Sequence, residues 1–512
     1  MEHILSILIF IPVFSAILGF LVDYKSIKIY GIFVAFIEFI LTLLMWSFYD
    51  PSLGDLAFVE QFPILSNFNI NYFVGIDGIS LFLIVLSSFI TLIALINLKA
   101  QDGIKNITIC VLLLESGLIG FFSSLDAMLF YIFWELALIP IFIIIGTYGG
   151  EKRIYACVKF FIYTFAGSII MLVGIITMAY FYYKSFGKIS FSILDWYYLS
   201  LPMKVQIWLF FSFVLAFSIK TAIFPFHTWL PYAYSQSPIV GSILISSLLA
   251  KMGTYGFIRI VLPVFPDASV YFVDLLAILA CIMVIYAGLI AFAKDDMKQL
   301  AAYSSISHMG IIMLGIFAIN AEGIGGAVFF MISHGVLITG FFMIISVLYD
   351  RKQTYLTGEF SGIAKIMPKF TIIFVVIMLG LIGLPLTIGF VGEFLSLLGM
   401  FKTNAFYAFL GGLGIIIGAA YMLNLCRNVF FKKAQNSSNL ILKDLSFREY
   451  ISLIPIFLVV IILGVYPKPL LGVIGDSAQK VVKIMHDKSI DIDTKEFIKK
   501  SNLIKGVKFG NN

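Results

Sequence analysis

Residues 217–231 read FSIKTAIFPFHTWLP, and this stretch decides the fold. Lys220 lies inside an apolar run, and Pro225 and Pro231 follow it. A charge near the centre of a bilayer costs about 2.5–3.5 kcal/mol on insertion scales. Pro225 lacks an N–H, so the carbonyl of residue 221, beside the lysine, loses its helical partner. In lipid such a defect is tolerated only against protein or water. The stretch therefore predicts a helix broken at membrane depth and facing a polar interior, a recurring device of ion transporters.

The whole chain agrees with a membrane reading. Its 512 residues are 61% hydrophobic and 12% charged, with mean hydropathy +1.05. A soluble domain is about 25% charged, and apolar runs of membrane-spanning length recur here from end to end. An ordinary soluble enzyme is excluded. So is a nucleic-acid partner, because the net charge is only +6 and the basic residues sit in loops and the tail. Cys110, Cys157, Cys281 and Cys426 lie in apolar stretches without CxxC spacing, so no disulfide framework, iron–sulfur cluster or zinc site follows. The first run, from Ile4, has no basic region before it and no cleavage pattern, and reads as a retained helix.

Fourteen candidate spans follow: about 4–22, 27–49, 78–97, 106–123, 127–147, 154–182, 206–224, 238–262, 270–292, 299–319, 324–348, 370–401, 405–430 and 451–466. The expected architecture is an all-α polytopic membrane protein. The 370–401 run is too long for one straight span and holds Gly383 and Pro385, which predicts a second broken helix. Alternation in NFNINYFV, residues 67–74, predicts a small extramembrane strand or hairpin. Seventeen lysines and arginines fall in loops after odd-numbered spans, against four after even-numbered ones. That bias puts the odd loops in the cytoplasm and the N-terminus outside. The Lys-rich tail, Lys468 to Lys508, then falls outside too, against the trend.

Six ionisable residues stand in apolar surroundings with distinctive neighbours: Glu135, Lys220, Lys251, His308, His334 and Glu393. Glu135 is followed by Pro140 as Lys220 is by Pro225, so the carbonyl of residue 136 is also orphaned. A desolvated lysine loses its proton more readily, and a nearby carboxylate restores its hold. Histidine does the same with less tuning. Tyr303, Ser304, Ser305 and Ser307 beside His308, and Thr254 and Tyr255 beside Lys251, offer hydroxyls for hydrogen-bonded water. These residues predict a chain of proton sites.

Blander roles compete at each position. A buried Glu135–Lys220 pair also works as a clamp between helices, His308 and His334 as satisfied core histidines, and Glu393 as a support for the helix break. Glu38 and Glu115 read as structural or interface residues rather than relay members. His227 is expected near the membrane surface, fixing its turn, and Arg259 is close enough to a helix end to snorkel. The GGLG run at 411–414 reads as small-residue helix packing. No dinucleotide fingerprint, Walker loop, haem motif or nucleophile elbow is present in the sequence.

FWELALIPIF (133–142), KTAIFPFHTWLPYAYSQSP (220–238), SSLLAKMGTYGFIRI (246–260), KQLAAYSSISHMG (298–310) and GFVGEF (389–394) resemble the successive signatures of one family. These are the antiporter-like membrane subunits of respiratory complex I, the proton-translocating NADH-quinone oxidoreductase, shared with multi-subunit sodium/proton antiporters. The resemblance spans about residues 75–430. LLAKMGTYGFIR is the discriminating piece and is similar to the chain M branch, the counterpart of mitochondrial subunit 4.

The resemblance implies two inverted five-helix repeats with broken helices 7 and 12. The expected division is 1–105 for helices 1–3, 106–262 for the first repeat, 263–430 for the second, and 431–512 for the last helix and basic tail. It implies that Glu135 modulates Lys220, that Lys251 is the central relay, that His308 and His334 lie on the polar axis of the second half, and that Glu393 is the acid at the second half-channel. Where the family often has WLPDAH this chain has WLPYAY, so the acidic group expected at Tyr232 is absent.

The function so implied is proton translocation coupled to quinone reduction on other subunits. No cofactor is expected on this chain, and NADH, FMN, iron–sulfur clusters and quinone belong to partner subunits. Expected partners are other membrane subunits, homologous antiporter-like chains among them, and membrane lipids, in a bacterial inner membrane. A cation/proton antiporter or membrane-bound hydrogenase subunit is the alternative, and a secondary transporter of organic solutes a further one. A solute carrier calls for one enclosed pocket, whereas these polar residues are strung along the helices.

Overall fold

The computed structural model describes residues 3–50, 56–99, 103–433 and 442–503. Lys505 and Lys508 of the tail lie outside the described residues. Each of the fourteen apolar runs falls on helix. Among the described residues twelve helical segments are long and apolar enough to cross a membrane, and Ile4–Gly19 and Pro368–Ile382 are shorter apolar helices. Ala321–Lys352 and Ile239–Val264 are buried almost all round and form the centre. Peripheral helices turn Phe14, Ile29, Phe33, Ile162, Val173 and Trp208 outward. Apolar surface on that scale belongs against lipid or a neighbouring chain.

Both expected breaks are present. Met203–Thr221 ends at Ala222, whose φ is +62°, and a 3₁₀ turn, Phe226–Trp229, leads into Leu230–Gln236. The Trp229 indole N–H donates to the Ile219 carbonyl at 2.8 Å, which also accepts from the Ala222 N–H, so a side chain ties the two sides of the break together. Pro368–Ile382 ends at Gly383 with φ +77°, and Ile388–Thr403 resumes beyond Leu386, itself at φ +73°. A milder interruption at Ala137 separates Ala127–Leu136 from Leu138–Tyr148, three residues before Pro140. Two π-helical turns, Ile245–Leu249 and Phe257–Val261, bracket the short helix Ala250–Gly256 that carries Lys251.

The stretch around residues 67–74 forms a hairpin, Ala57–Leu65 antiparallel to Ile70–Ile76 with Asn69 in the left-handed region at its turn. Buried Glu60 accepts from the Leu5 N–H at 3.0 Å and fastens the hairpin to the first helix. The C-terminal segment is a strap of two helices. Lys468–Lys488 buries Leu470, Leu471, Ile474, Val481 and Met485, and Ser477 accepts from the Gly78 N–H at 3.0 Å. Ser489 then donates to Asp267 at 2.5 Å, and Ser501, in Ile492–Leu503, donates to the Ile319 carbonyl at 3.1 Å. Residues 78, 267 and 319 are helix ends on one side of the bundle, so the strap runs across that side.

Candidate functional site: a buried row of proton-carrying groups

The second half of the row is continuous. Lys251 is fully buried, and its Nζ lies 2.7 Å from His334 Nδ1 and donates to the Ser246 carbonyl at 2.6 Å. The π-helical turn just before Lys251 is what leaves that carbonyl able to accept a side-chain donor. When Lys251 carries its charge it has no acceptor, so His334 Nδ1 then accepts and the imidazole proton sits on Nε2. The His334 and His308 rings follow at 5.5 Å between centroids. His308 Nδ1 lies 3.1 Å from Glu393 Oε1, in a buried pair. Each histidine leaves its Nε2 buried and unpartnered, and so does Oε2 of Glu393.

The second break shapes the end of this row. A Cβ at Gly383 would run into the Glu393 carboxylate. The glycine thus supplies both the left-handed backbone and the room for the acid. Sequence reading placed Glu393 beside the break without showing that the carboxylate folds back onto it.

The first half is looser. Lys220 is buried at 1% exposure, yet its Nζ has no hydrogen-bond partner. It lies over the Trp134 ring, 4.9 Å from the centroid, with Phe160 at 6.0 Å. Glu135, next to Trp134, is half-buried, with Oε1 unpartnered. No ion pair within 4.0 Å joins the two among the described residues, although the carboxylate lies within electrostatic reach of the lysine. Glu135 and Lys220 are therefore neighbours without an ion pair, and the ammonium makes a cation–π contact with the Trp134 indole instead. Gly253 packs onto Thr221 and the Phe217 carbonyl, bringing the Lys251 helix against the end of the Lys220 helix.

Several expectations change. The hydroxyls near the row mostly serve the backbone: Ser304 donates to the Ala301 carbonyl, Ser307 to Val284 and Thr254 to Lys251. His227 is buried in the break, stacked on Phe224 and edge-on to Tyr286. Arg259 does not snorkel. It is buried and pairs with Asp77 at 2.8 Å, with Tyr255 and Ser80 each accepting at 3.0 Å. Burial works to raise the Asp77 carboxyl, but the Arg259 guanidinium and the N–H groups of Ser80 and Ile79 outweigh it and hold it below its ordinary value. Lys298, read from sequence as a loop residue, is buried and donates to the Ser235 and Ser237 carbonyls at 3.1 and 2.5 Å.

Among the described residues no cluster of three or more His, Cys, Asp and Glu side chains forms a metal site, and the four cysteines are unbridged. Lysine, histidine and glutamate side chains are each able to take up and release a proton. Two helices broken beside charged residues, joined by a buried lysine–histidine–glutamate series, define an antiporter-like membrane protein. The profile described as "NADH:quinone oxidoreductase/Mrp antiporter, TM" matches residues 124–418, and the chain belongs to this family. It is 41% identical over 487 residues to NADH-quinone oxidoreductase subunit M of Rickettsia prowazekii, covering 94% of this chain and 98% of that protein. A chain of respiratory complex I from Thermus thermophilus with bound NADH superposes with TM-score 0.87 at 29% identity, over 94% of this chain and 99% of that one. A chain of the Mrp complex from Dietzia shares the fold alone, with TM-score 0.80 at 17% identity over 98% and 99% of the two chains.

Proposed function

We propose that this chain is a proton-translocating membrane subunit of an NADH-quinone oxidoreductase, and that Glu135, Lys220, Lys251, His334, His308 and Glu393 carry the protons. The observation that supports this best is the run from Lys251 to Glu393, with a close polar contact at each end and the two imidazole rings 5.5 Å apart between them. A structural clamp needs one partner for each charge. Four titratable groups in file, with an unpartnered nitrogen on each imidazole, suit a path along which a proton hops. Lys251 gives a proton to His334 Nδ1 as the Nε2 proton of His334 passes to Nε2 of His308, and the Nδ1 proton of His308 passes to the Glu393 carboxylate. Upstream, Lys220 holds its proton more tightly when Glu135 approaches and releases it when they part.

On this reading the fourteen helical runs are all membrane spans, residues 106–262 and 263–430 are the two inverted repeats, and the N-terminus lies outside a bacterial inner membrane. NADH, FMN, iron–sulfur clusters and quinone are carried by partner subunits, whose reaction moves the Glu135–Lys220 pair. Purification of the tagged chain in mild detergent tests the assignment. Co-purification of flavin and iron with NADH-driven quinone reduction is the expected result. A colourless complex with sodium-dependent proton exchange would move the chain to the cation/proton antiporters, whose fold it shares. Within the respiratory complex, Lys220→Ala is expected to abolish this subunit's proton transfer, and normal proton movement in that variant would remove Lys220 from the path.

A further inference from the structure

Two carboxylates lie outside the row. Glu38, in Ile27–Ser47, and Glu115, in Ile104–Ser123, are both fully buried, and none of their four oxygens has a hydrogen-bond partner. Register brings them together. Gly31 packs so closely on Thr108 that a Cβ there would overlap the threonine methyl. The two helices run in the same direction, separated in sequence by one antiparallel helix. Glu38 and Glu115 each lie seven residues further on, so two turns bring them to one level. Their charges act on each other, and no cation contributes at either.

The third wall is helix Gly78–Asn97. Thr42 and Ser88 hydroxyls meet at 2.8 Å and fix its register against Ile27–Ser47. Because these helices are antiparallel, Thr91, one turn beyond Ser88, returns to the level of Glu38, one turn before Thr42. The Thr91 hydroxyl is also buried and without a partner. A structural carboxylate is held by a cation or by N–H donors, as Asp77 and Glu60 are here. Glu38 and Glu115 have neither. Two ionised carboxylates side by side in apolar surroundings repel and are unsolvated. A proton between them makes one the donor and the other the acceptor, so this pair is satisfied only when it carries protons.

The pair also lies beside the row. The Cβ position of Gly117 is 3.4 Å from the Ala137 nitrogen, at the interruption two residues past Glu135. The antiparallel neighbours therefore set Glu115 and Glu135 about one turn apart in depth.

We propose that Glu38 and Glu115 form a shared proton-storing site that exchanges one proton with Glu135. The pair is neutral with two protons and a monoanion with one shared between the carboxyls. In the exchange an O–H bond on Glu115 breaks as one forms on the Glu135 carboxylate, and the first proton stays on the pair. The destination of the proton rests on the row being a proton path, whereas the existence of the site does not.

Infrared difference spectroscopy on the assembled complex tests this in two steps. At equilibrium, Glu115→Gln is expected to remove a carboxylic C=O band and Glu38→Gln to shift the same band. During turnover that band is expected to change amplitude in the wild type and to stay constant in Glu135→Gln. Glu115→Asp keeps the acid and is expected to keep a displaced band, which separates loss of the group from loss of fold. No change of the C=O region in Glu115→Gln would show an ionised carboxylate and overturn the site. A band that never moves in turnover would overturn the exchange. The Lys220→Ala complex separates the two readings: if it pumps normally while the band still responds in turnover, the row fails and the storing site stands.

Discussion

At the residue scale, the isolated charges were legible because each stands out against an apolar run. Lys220, Lys251 and Glu393 each need several kcal/mol of compensation that only a polar interior can provide. What could not be read was who meets whom. Lys251 and His334 are 83 positions apart, and Asp77, the partner of Arg259, sits at the mouth of a different helix. His334→Phe is expected to leave Lys251 with the Ser246 carbonyl alone, so the lysine discharges and proton transfer fails while quinone reduction on the partner subunits continues at a reduced rate. Proton uptake and NADH oxidation recorded together check this, and parallel loss of assembly would refute it. Arg259→Met strands a buried Asp77 and is expected to destabilise the fold by about 3–5 kcal/mol. Asp77→Asn in the same chain should restore most of that, read as the thermal midpoint in detergent. A midpoint that Arg259→Met leaves unchanged would mean that the pair holds nothing together.

At the element scale, proline and glycine announced the two breaks, and the backbone obeyed them. The π-helical turns had no such signal. ISSLL at 245–249 is ordinary helical composition, and the wide turn that offers the Ser246 carbonyl to Lys251 arises from packing around it. The hydroxyls flanking His308 misled for a related reason. A serine on a helix bonds its own backbone unless something better is within reach. Gly383→Ala tests the second break. It forces a left-handed residue to carry a Cβ and drives that Cβ into Glu393. A strain of about 1–3 kcal/mol is expected, together with displacement of the acid from His308. A lowered thermal midpoint with impaired proton transfer is the expected pair of readouts, and an unaffected variant would show the break to be tolerant.

At the scale of the whole molecule, the C-terminal strap ties helix ends that are far apart in sequence, and its composition showed only a basic tail. Lys488 donates to the Trp196 carbonyl at 2.6 Å. Burial pulls this lysine down from 10.5 to about 7, against the opposing charge of Asp267. The sign follows from linkage. Below about 7 the lysine is charged whether docked or free, and its burial opposes docking. Between that value and 10.5 the free strap binds more protons than the docked one, so docking strengthens as pH rises. Limited proteolysis of residues 489–503 is expected to be slower at about pH 8.5 than at about pH 6. Lys488→Met should flatten the difference, and a pH dependence that survives this substitution would place its origin elsewhere.

The outward apolar faces and the half-buried Glu135 make sense only with lipid and neighbouring subunits around the chain. The row therefore has to be tested in the assembled complex. The most direct measurement is the ratio of protons moved to electrons transferred in proteoliposomes, comparing the wild-type complex with Lys251→Met. If protons pass through the buried row, the ratio falls while NADH still reduces quinone. An unchanged ratio would contradict it, and the lysine, histidines and glutamate would then be no more than a clamp between helices.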